Sequence, residues 1–149
     1  MVHQHATYED VNLILKLYEM RREVKMRAAR SWFAENFLPT TMEEFTKLCP
    51  PGSEENSHFR QVASYWEMVA GFITQGVLHK EVYFQSGQEL LLAYTRMKGV
   101  LPLMREAFQN PVAFGNLEAV AQDYIVYMNK TNPNAYAAFE ARINSMVKK

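Results

Sequence analysis

The stretch from Ser53 to Val77 constrains the fold most, because it predicts a helix of about six turns with almost no polar side. At about 100° per residue, one side carries a continuous apolar stripe and the opposite side carries a second apolar group. The stripe comprises Phe59, Val62, Ala63, Trp66, Val69, Ala70, Ile73 and Val77, and the opposite group comprises Tyr65, Met68 and Phe72. A helix that is apolar on most sides is expected at the centre of a bundle.

Both ends of this central helix carry local signals. The run Pro50-Pro51-Gly52 cannot continue a helix from upstream, so Ser53 can cap the first free amides of a new one. At the other end, Gly76 can adopt the left-handed conformation that closes a helix. We therefore predict a helix over about 54–76.

A long amphipathic helix is predicted before the central one. Thr7, with Asp10 three residues later, resembles a capping box, and neither proline nor glycine occurs from Tyr8 to about Asn36. Apolar residues recur along this segment at spacings of three and four, namely Leu13, Leu17, Met20, Val24, Ala28 and Trp32. The pattern predicts one helix of about eight turns, preceded by a flexible tail over residues 1–6.

Shorter helical signals follow on both sides of the central segment. Thr41 and Glu44 form a second capping box, and residues 88–98 have a helical apolar face. Residues 80–86 are too few to assign. Residues 101–108 are either a kinked continuation or a separate short helix, because a proline stands near their start.

Two Asn-Pro pairs predict the starts of the last helices. Asn110-Pro111 and Asn132-Pro133 each combine a capping residue with proline at the first helical position. No alternating strand pattern bounded by hairpin turns is present. We therefore expect an all-α fold, a single helical bundle over residues 1–149.

Composition excludes several broad classes. The 149 residues fit one domain, and 16 basic against 16 acidic residues give no net charge to attract nucleic acid or an anionic membrane. Cys49 is the only cysteine, which excludes an intrachain disulfide and favours a reducing, cytoplasmic setting. No run reaches the roughly 18 apolar residues that a membrane helix needs. We expect no membrane partner.

Four short segments carry a resemblance to a known family. They are Pro51 to Asn56, Phe59 to Val62, Tyr65 to Met68 and Gly76 to His79, with a looser similarity extending to Asn110-Pro111. The chain resembles an uncharacterised bacterial family known only as a domain of unknown function. The resemblance implies an all-helical fold and a cytosolic bacterial protein, and it supplies no catalytic residues.

A metal-binding site is the first candidate functional site. Glu55 and His58 have the spacing of three that di-iron carboxylate bundles use, but those sites need a second such pair, and His79 has no glutamate three residues before it. We therefore expect no metal and no cofactor. Glu55 is interpreted as a capping residue and His58 as a surface residue.

A basic run on the first helix is the second candidate. Five cations fall within ten residues, namely Arg21, Arg22, Lys25, Arg27 and Arg30. Such a run can bind the phosphates of a nucleic acid. However, its basic side chains spread around the helix, and neighbouring glutamates can form ion pairs with them. A solvated, salt-bridged face is favoured over a nucleic-acid site.

Glu67 is the most informative single residue, because it lies at the edge of the apolar stripe. A carboxylate there is either exposed or buried with a partner, and we expect an ion pair with an arginine of the first helix. The alternative is a pocket acid with a raised pKa, in a ligand site built with Trp66, Tyr65 and Arg60.

Three functions remain open. The sequence favours a non-enzymatic helical interaction or regulatory module, with a protein partner or self-association through apolar helix faces. A small-molecule-binding domain with a pocket near Glu67 and Trp66 is second, and a nucleic-acid-associated protein is third. No catalytic motif or cluster supports an enzyme.

Overall fold

The computed structural model describes residues 5–149, so the predicted tail is covered only from His5 onward and residues 1–4 lie outside the described residues. Over this range the chain forms nine helices and no strand, which confirms the all-α prediction. The helices are α1 (Tyr8–Arg21), α2 (Val24–Asn36), α3 (Met42–Leu48), α4 (Glu54–Thr74), α5 (Lys80–Phe84), α6 (Gln88–Met97), α7 (Leu101–Ala107), α8 (Gly115–Asn129) and α9 (Ala135–Ser145).

Helix α4 is the central element of one compact domain, as its pattern predicted. It packs most extensively against α2 on one side and α8 on the other, and it also contacts α6. Eight of its residues are buried, namely Phe59, Val62, Ala63, Tyr65, Trp66, Val69, Ala70 and Ile73. Met68 and Phe72 on the opposite side are partly buried against the same core.

The predicted ends of α4 are confirmed. The Ser53 hydroxyl accepts a hydrogen bond from the Asn56 amide at 3.0 Å. Gly76 has φ +77°, and the amides of Val77 and Leu78 both donate to the Phe72 carbonyl. Each signal is local, so it did not depend on the rest of the fold.

The prediction of one helix from Tyr8 to Asn36 is wrong. The chain breaks at Glu23, whose backbone is extended (φ −58°, ψ 147°), and α1 and α2 are separate helices. The Glu23 carboxylate accepts hydrogen bonds from the amides of Lys25 and Met26, which lowers the pKa of Glu23. Glutamate normally favours helix interiors, so its use as a cap left no signal in the pattern.

The two Asn-Pro pairs do not begin helices. Asn110 accepts a hydrogen bond from the amide two residues later and forms a turn, and α8 begins only at Gly115. Asn132 does the same ahead of α9, which begins at Ala135. An asparagine side chain that bonds its own backbone two residues on makes a turn rather than a cap.

The two unassigned segments are short helices. Residues 80–84 form α5, capped by the His79 ring nitrogen Nδ1, which accepts from the Val82 amide at 3.3 Å. Residues 101–107 form α7, a separate helix with Pro102 in its first turn. A proline is tolerated there because the amide it lacks would have no helical partner.

Arg96 joins three helices from inside the core. Its side chain is 0% exposed, and its guanidinium donates to the carbonyls of Phe33 and Phe37 at the end of α2 and to that of Ile143 near the end of α9. Burial lowers the pKa of Arg96. The carbonyls near the end of a helix carry partial negative charge, so two helix ends stabilise this cation in place of a carboxylate.

Arg96→Met should lower the free energy of unfolding by about 3 kcal/mol or more, because three buried carbonyls lose a charged donor and that of Phe37 loses its only described one. Urea unfolding of this variant and of Arg142→Met, which removes an exposed arginine of α9, measures the difference. Equal stabilities of the two variants would contradict the role of Arg96.

Candidate functional site

Glu67 caps a neighbouring helix. Helix α8 starts after Phe114, a left-handed residue (φ 57°) that provides no side-chain cap. One oxygen of Glu67 accepts from the Leu117 amide at 2.8 Å, and the other accepts from the Asn116 side chain at 2.9 Å. The carboxylate therefore binds the positive end of α8. This contradicts the expected ion pair with an arginine of the first helix.

The predicted basic run divides into inward and outward members. Arg21 and Arg30 turn inward and both bind Glu89 of α6, with Arg30 holding the carboxylate at 2.5 and 2.6 Å. The hydrogen bonds that Arg30 donates to Glu89 raise the pKa of Arg30. Arg22, Lys25 and Arg27 remain exposed. The five residues therefore do not form the single unpaired patch that nucleic-acid binding would require.

A cleft of about 240 Å³ lies beside the Arg30–Glu89 pair, between α2, α4 and α6. Its apolar lining is Phe33, Ala34, Val62, Trp66, Leu92 and Ala93, and its polar lining is Arg27, Arg30, Ser31 and Glu89. Trp66 is only 3% exposed, and its indole nitrogen Nε1 is buried without a hydrogen-bond partner among residues 5–149. Buried donors normally have one, so this nitrogen is unusual.

The other predicted ligand residues do not line this cleft, although the Tyr65 ring contacts that of Trp66 with 4.8 Å between centroids. The Tyr65 hydroxyl donates a hydrogen bond to the Leu17 carbonyl of α1, and burial raises the pKa of Tyr65 to about 12. Arg60 is exposed and donates to Asn56 beside a separate groove between α3, α4 and α7. Trp66 alone of the four predicted residues lines the cleft, together with Arg27 and Arg30 of the basic run.

The interpretation of His58 as a surface residue is wrong, because its side chain is only 15% exposed. Its ring packs against that of Trp32 with 5.7 Å between centroids, and Nε2 lies 3.5 Å from the Glu54 carboxylate. Within residues 5–149, no group of three His, Cys, Asp or Glu side chains is arranged to hold a metal ion. None of the helices in the same range is both long and apolar enough to cross a bilayer.

Helix α1 carries an apolar face that points away from the bundle. This outer face of α1 consists of Tyr8, Val11, Leu15 and Tyr18, which are 79, 42, 56 and 46% exposed. Their spacing of three, four and three places them on one stripe. The opposite side of α1 supplies Leu17 to the core, with Leu13 and Ile14 partly buried beside it. Helix α1 is therefore apolar on two sides. One side packs against the core, and the outer face is exposed to solvent in the described structure.

The comparison with known families matches residues 6–124 to a family described as Domain of unknown function (DUF4760). The chain belongs to this family. No curated protein matches the chain, and no solved structure does.

The DUF4760 match covers α1 to α7 and most of α8, so it includes the outer face of α1, the cleft and Glu67. Helix α9 lies beyond it. The family description assigns no activity and no functional residue, so a bacterial source and a cytoplasmic location stay predictions. Glu89 is the residue that sequence reasoning missed in this DUF4760 member. Its only local signal was a glutamate in the first turn of a helix, which indicates dipole stabilisation rather than an ion pair.

Glu67→Ala should destabilise the domain by about 1–2 kcal/mol, because the first turn of α8 loses its only described side-chain cap. Glu106→Ala, at an exposed position on α7, is the matched control. Urea unfolding gives the stability, and hydrogen exchange at the Leu117 amide should become faster in Glu67→Ala alone. Unchanged exchange at Leu117 would exclude the capping role.

Cys49 should be inert in the folded protein. Burial raises the pKa of its thiol to about 12, so only about one molecule in ten thousand carries the reactive thiolate at pH 8. We expect no labelling by Ellman's reagent at pH 8 until denaturant is added, whereas a thiol introduced at exposed Ser64 should react at once. Rapid labelling of the native wild type would show that this core region opens.

Proposed function

We propose that this protein is a non-enzymatic helical interaction module that forms a homodimer through the outer face of α1. The observation that carries the proposal is the exposure of four large apolar side chains in one helical stripe. Single exposed apolar residues are ordinary, but an aligned group of them is a frequent mark of an interaction site.

The stripe has the size and spacing of a helix-pairing seam. Tyr8 to Tyr18 spans about 15 Å at 1.5 Å per residue. The spacing of three, four and three is that of the a and d positions of a heptad, which pair two helices side by side. Two tyrosines at the ends and two aliphatic residues in the middle also give an aromatic-rich surface, as interfaces commonly have.

Charge favours a second copy in the antiparallel orientation. Arg22 is exposed and continues the stripe four residues after Tyr18. A parallel pair in register would place the two Arg22 guanidiniums side by side, which is unfavourable. An antiparallel pair centred between Val11 and Leu15 places Val11 of each copy opposite Leu15 of the other and separates the two Arg22 side chains to opposite ends of the seam.

Leu15→Glu should abolish the dimer, because two carboxylates would be placed in the apolar seam. Sedimentation equilibrium over a range of protein concentrations measures the mass of wild type and variant. Val126→Glu, an exposed position on α8, is the matched control and should remain dimeric. A wild type that stays monomeric at every concentration would exclude this function.

The ends of the seam provide a second test, which reports on the orientation. In the antiparallel pair, Tyr8 of each copy lies opposite Tyr18 of the other. Tyr8→Glu should weaken the dimer, and adding Tyr18→Lys should strengthen it again, because opposite charges then face each other across the seam; this gain should fade in high salt. A double variant no tighter than Tyr8→Glu would rule out the antiparallel pairing.

A further inference from the structure

The cleft beside Trp66 has hydrogen-bond donors to offer and little remaining acceptor capacity. Glu89 already accepts hydrogen bonds from Arg21 and from two nitrogens of Arg30. The third nitrogen of Arg30 donates to the Arg21 carbonyl at 2.9 Å. The exposed guanidinium of Arg27 lies in the same lining and supplies the donors that a ligand can reach.

The charge of this region is positive. Arg27 and Arg30 line the cleft together with Glu89, and Glu89 also pairs with Arg21 from outside the lining. With Glu23, which interacts electrostatically with Arg27, three guanidinium groups stand against two carboxylates. A ligand that completes the cleft has to bring acceptor atoms and negative charge.

The walls select for an apolar body. Phe33, Val62, Trp66 and Leu92 supply most of the remaining lining. The volume of about 240 Å³ lies just below the usual range for drug-sized ligands, about 300–1,000 Å³. A molecule with one ring fits this space better than a nucleotide or a long acyl chain.

We propose that the cleft between α2, α4 and α6 binds a small aromatic carboxylate, with its ring against Trp66 and Phe33 and its carboxylate facing Arg27. The carboxylate would accept hydrogen bonds from the Arg27 guanidinium, and the ring would displace water from the apolar walls. The site uses residues that do not belong to the outer face of α1, so it stands independently of the proposed dimer.

Benzoate is the probe, and the two tryptophans make the measurement specific. The chain contains only Trp32 and Trp66, so a ¹⁵N spectrum shows two indole N–H signals, which Trp32→Phe assigns. Benzoate should shift the Trp66 signal in a saturable way and leave that of Trp32 in place. Benzamide has the same shape without the charge, and it should bind at least about tenfold more weakly.

Variants of α2 test the role of Arg27. Arg27→Gln should weaken benzoate binding by about tenfold, while Lys25→Gln removes an exposed cation of the same helix outside the lining and should have no effect. Retention of the two indole signals at their wild-type positions shows that each variant is folded. Absence of any benzoate-dependent shift at Trp66, or equal binding of benzoate and benzamide, would overturn the proposal. Equal losses in the two variants would mean that only general charge attracts the ligand, and they would also overturn it.

Discussion

The bundle depends on a buried cation that no carboxylate neutralises. Arg96 donates hydrogen bonds to carbonyls near the ends of α2 and α9, so one side chain of α6 holds both of these helix ends together. A guanidinium stays charged at any ordinary pH, and its planar set of donors can serve several carbonyls at once. Because α2 packs on α4 and α9 packs on α6 and α8, this contact links the helices of the family match to the helix beyond it.

The sequence predicted the elements whose signals are local. The capping box of Thr7, the hydroxyl of Ser53 and the left-handed Gly76 were all found where the pattern placed them. The starts of α2 and α8 were missed because their caps are unusual. Glu23 is a helix former used as a cap, and α8 is capped by Glu67, about fifty residues earlier in the chain.

The functional surfaces were predictable in composition but not in arrangement. Periodicity identified the core stripe of α4 and the basic run of the first two helices. It did not identify which arginines turn inward, because Glu89 lies about sixty residues from Arg30 and becomes its partner only in the folded chain. The four predicted ligand residues likewise do not form one site, since residues around a central helix face different neighbours. Trp66 lines the cleft and contacts Tyr65, while Glu67 faces α8.

Polar contacts set the rotational phase of α1. Both sides of this helix are apolar, so hydrophobic burial alone gives only a weak preference for which side faces inward. Asp10 accepts from the His79 amide, the Leu17 carbonyl accepts from Tyr65, and Arg21 binds Glu89. These directional bonds occur at the start, middle and end of the helix, and all three are made only at one rotation about its axis. A sequence that kept every apolar residue of α1 but lost these three bonds would have two nearly degenerate ways to seat the helix, and the stripe now presented to solvent could become part of the core.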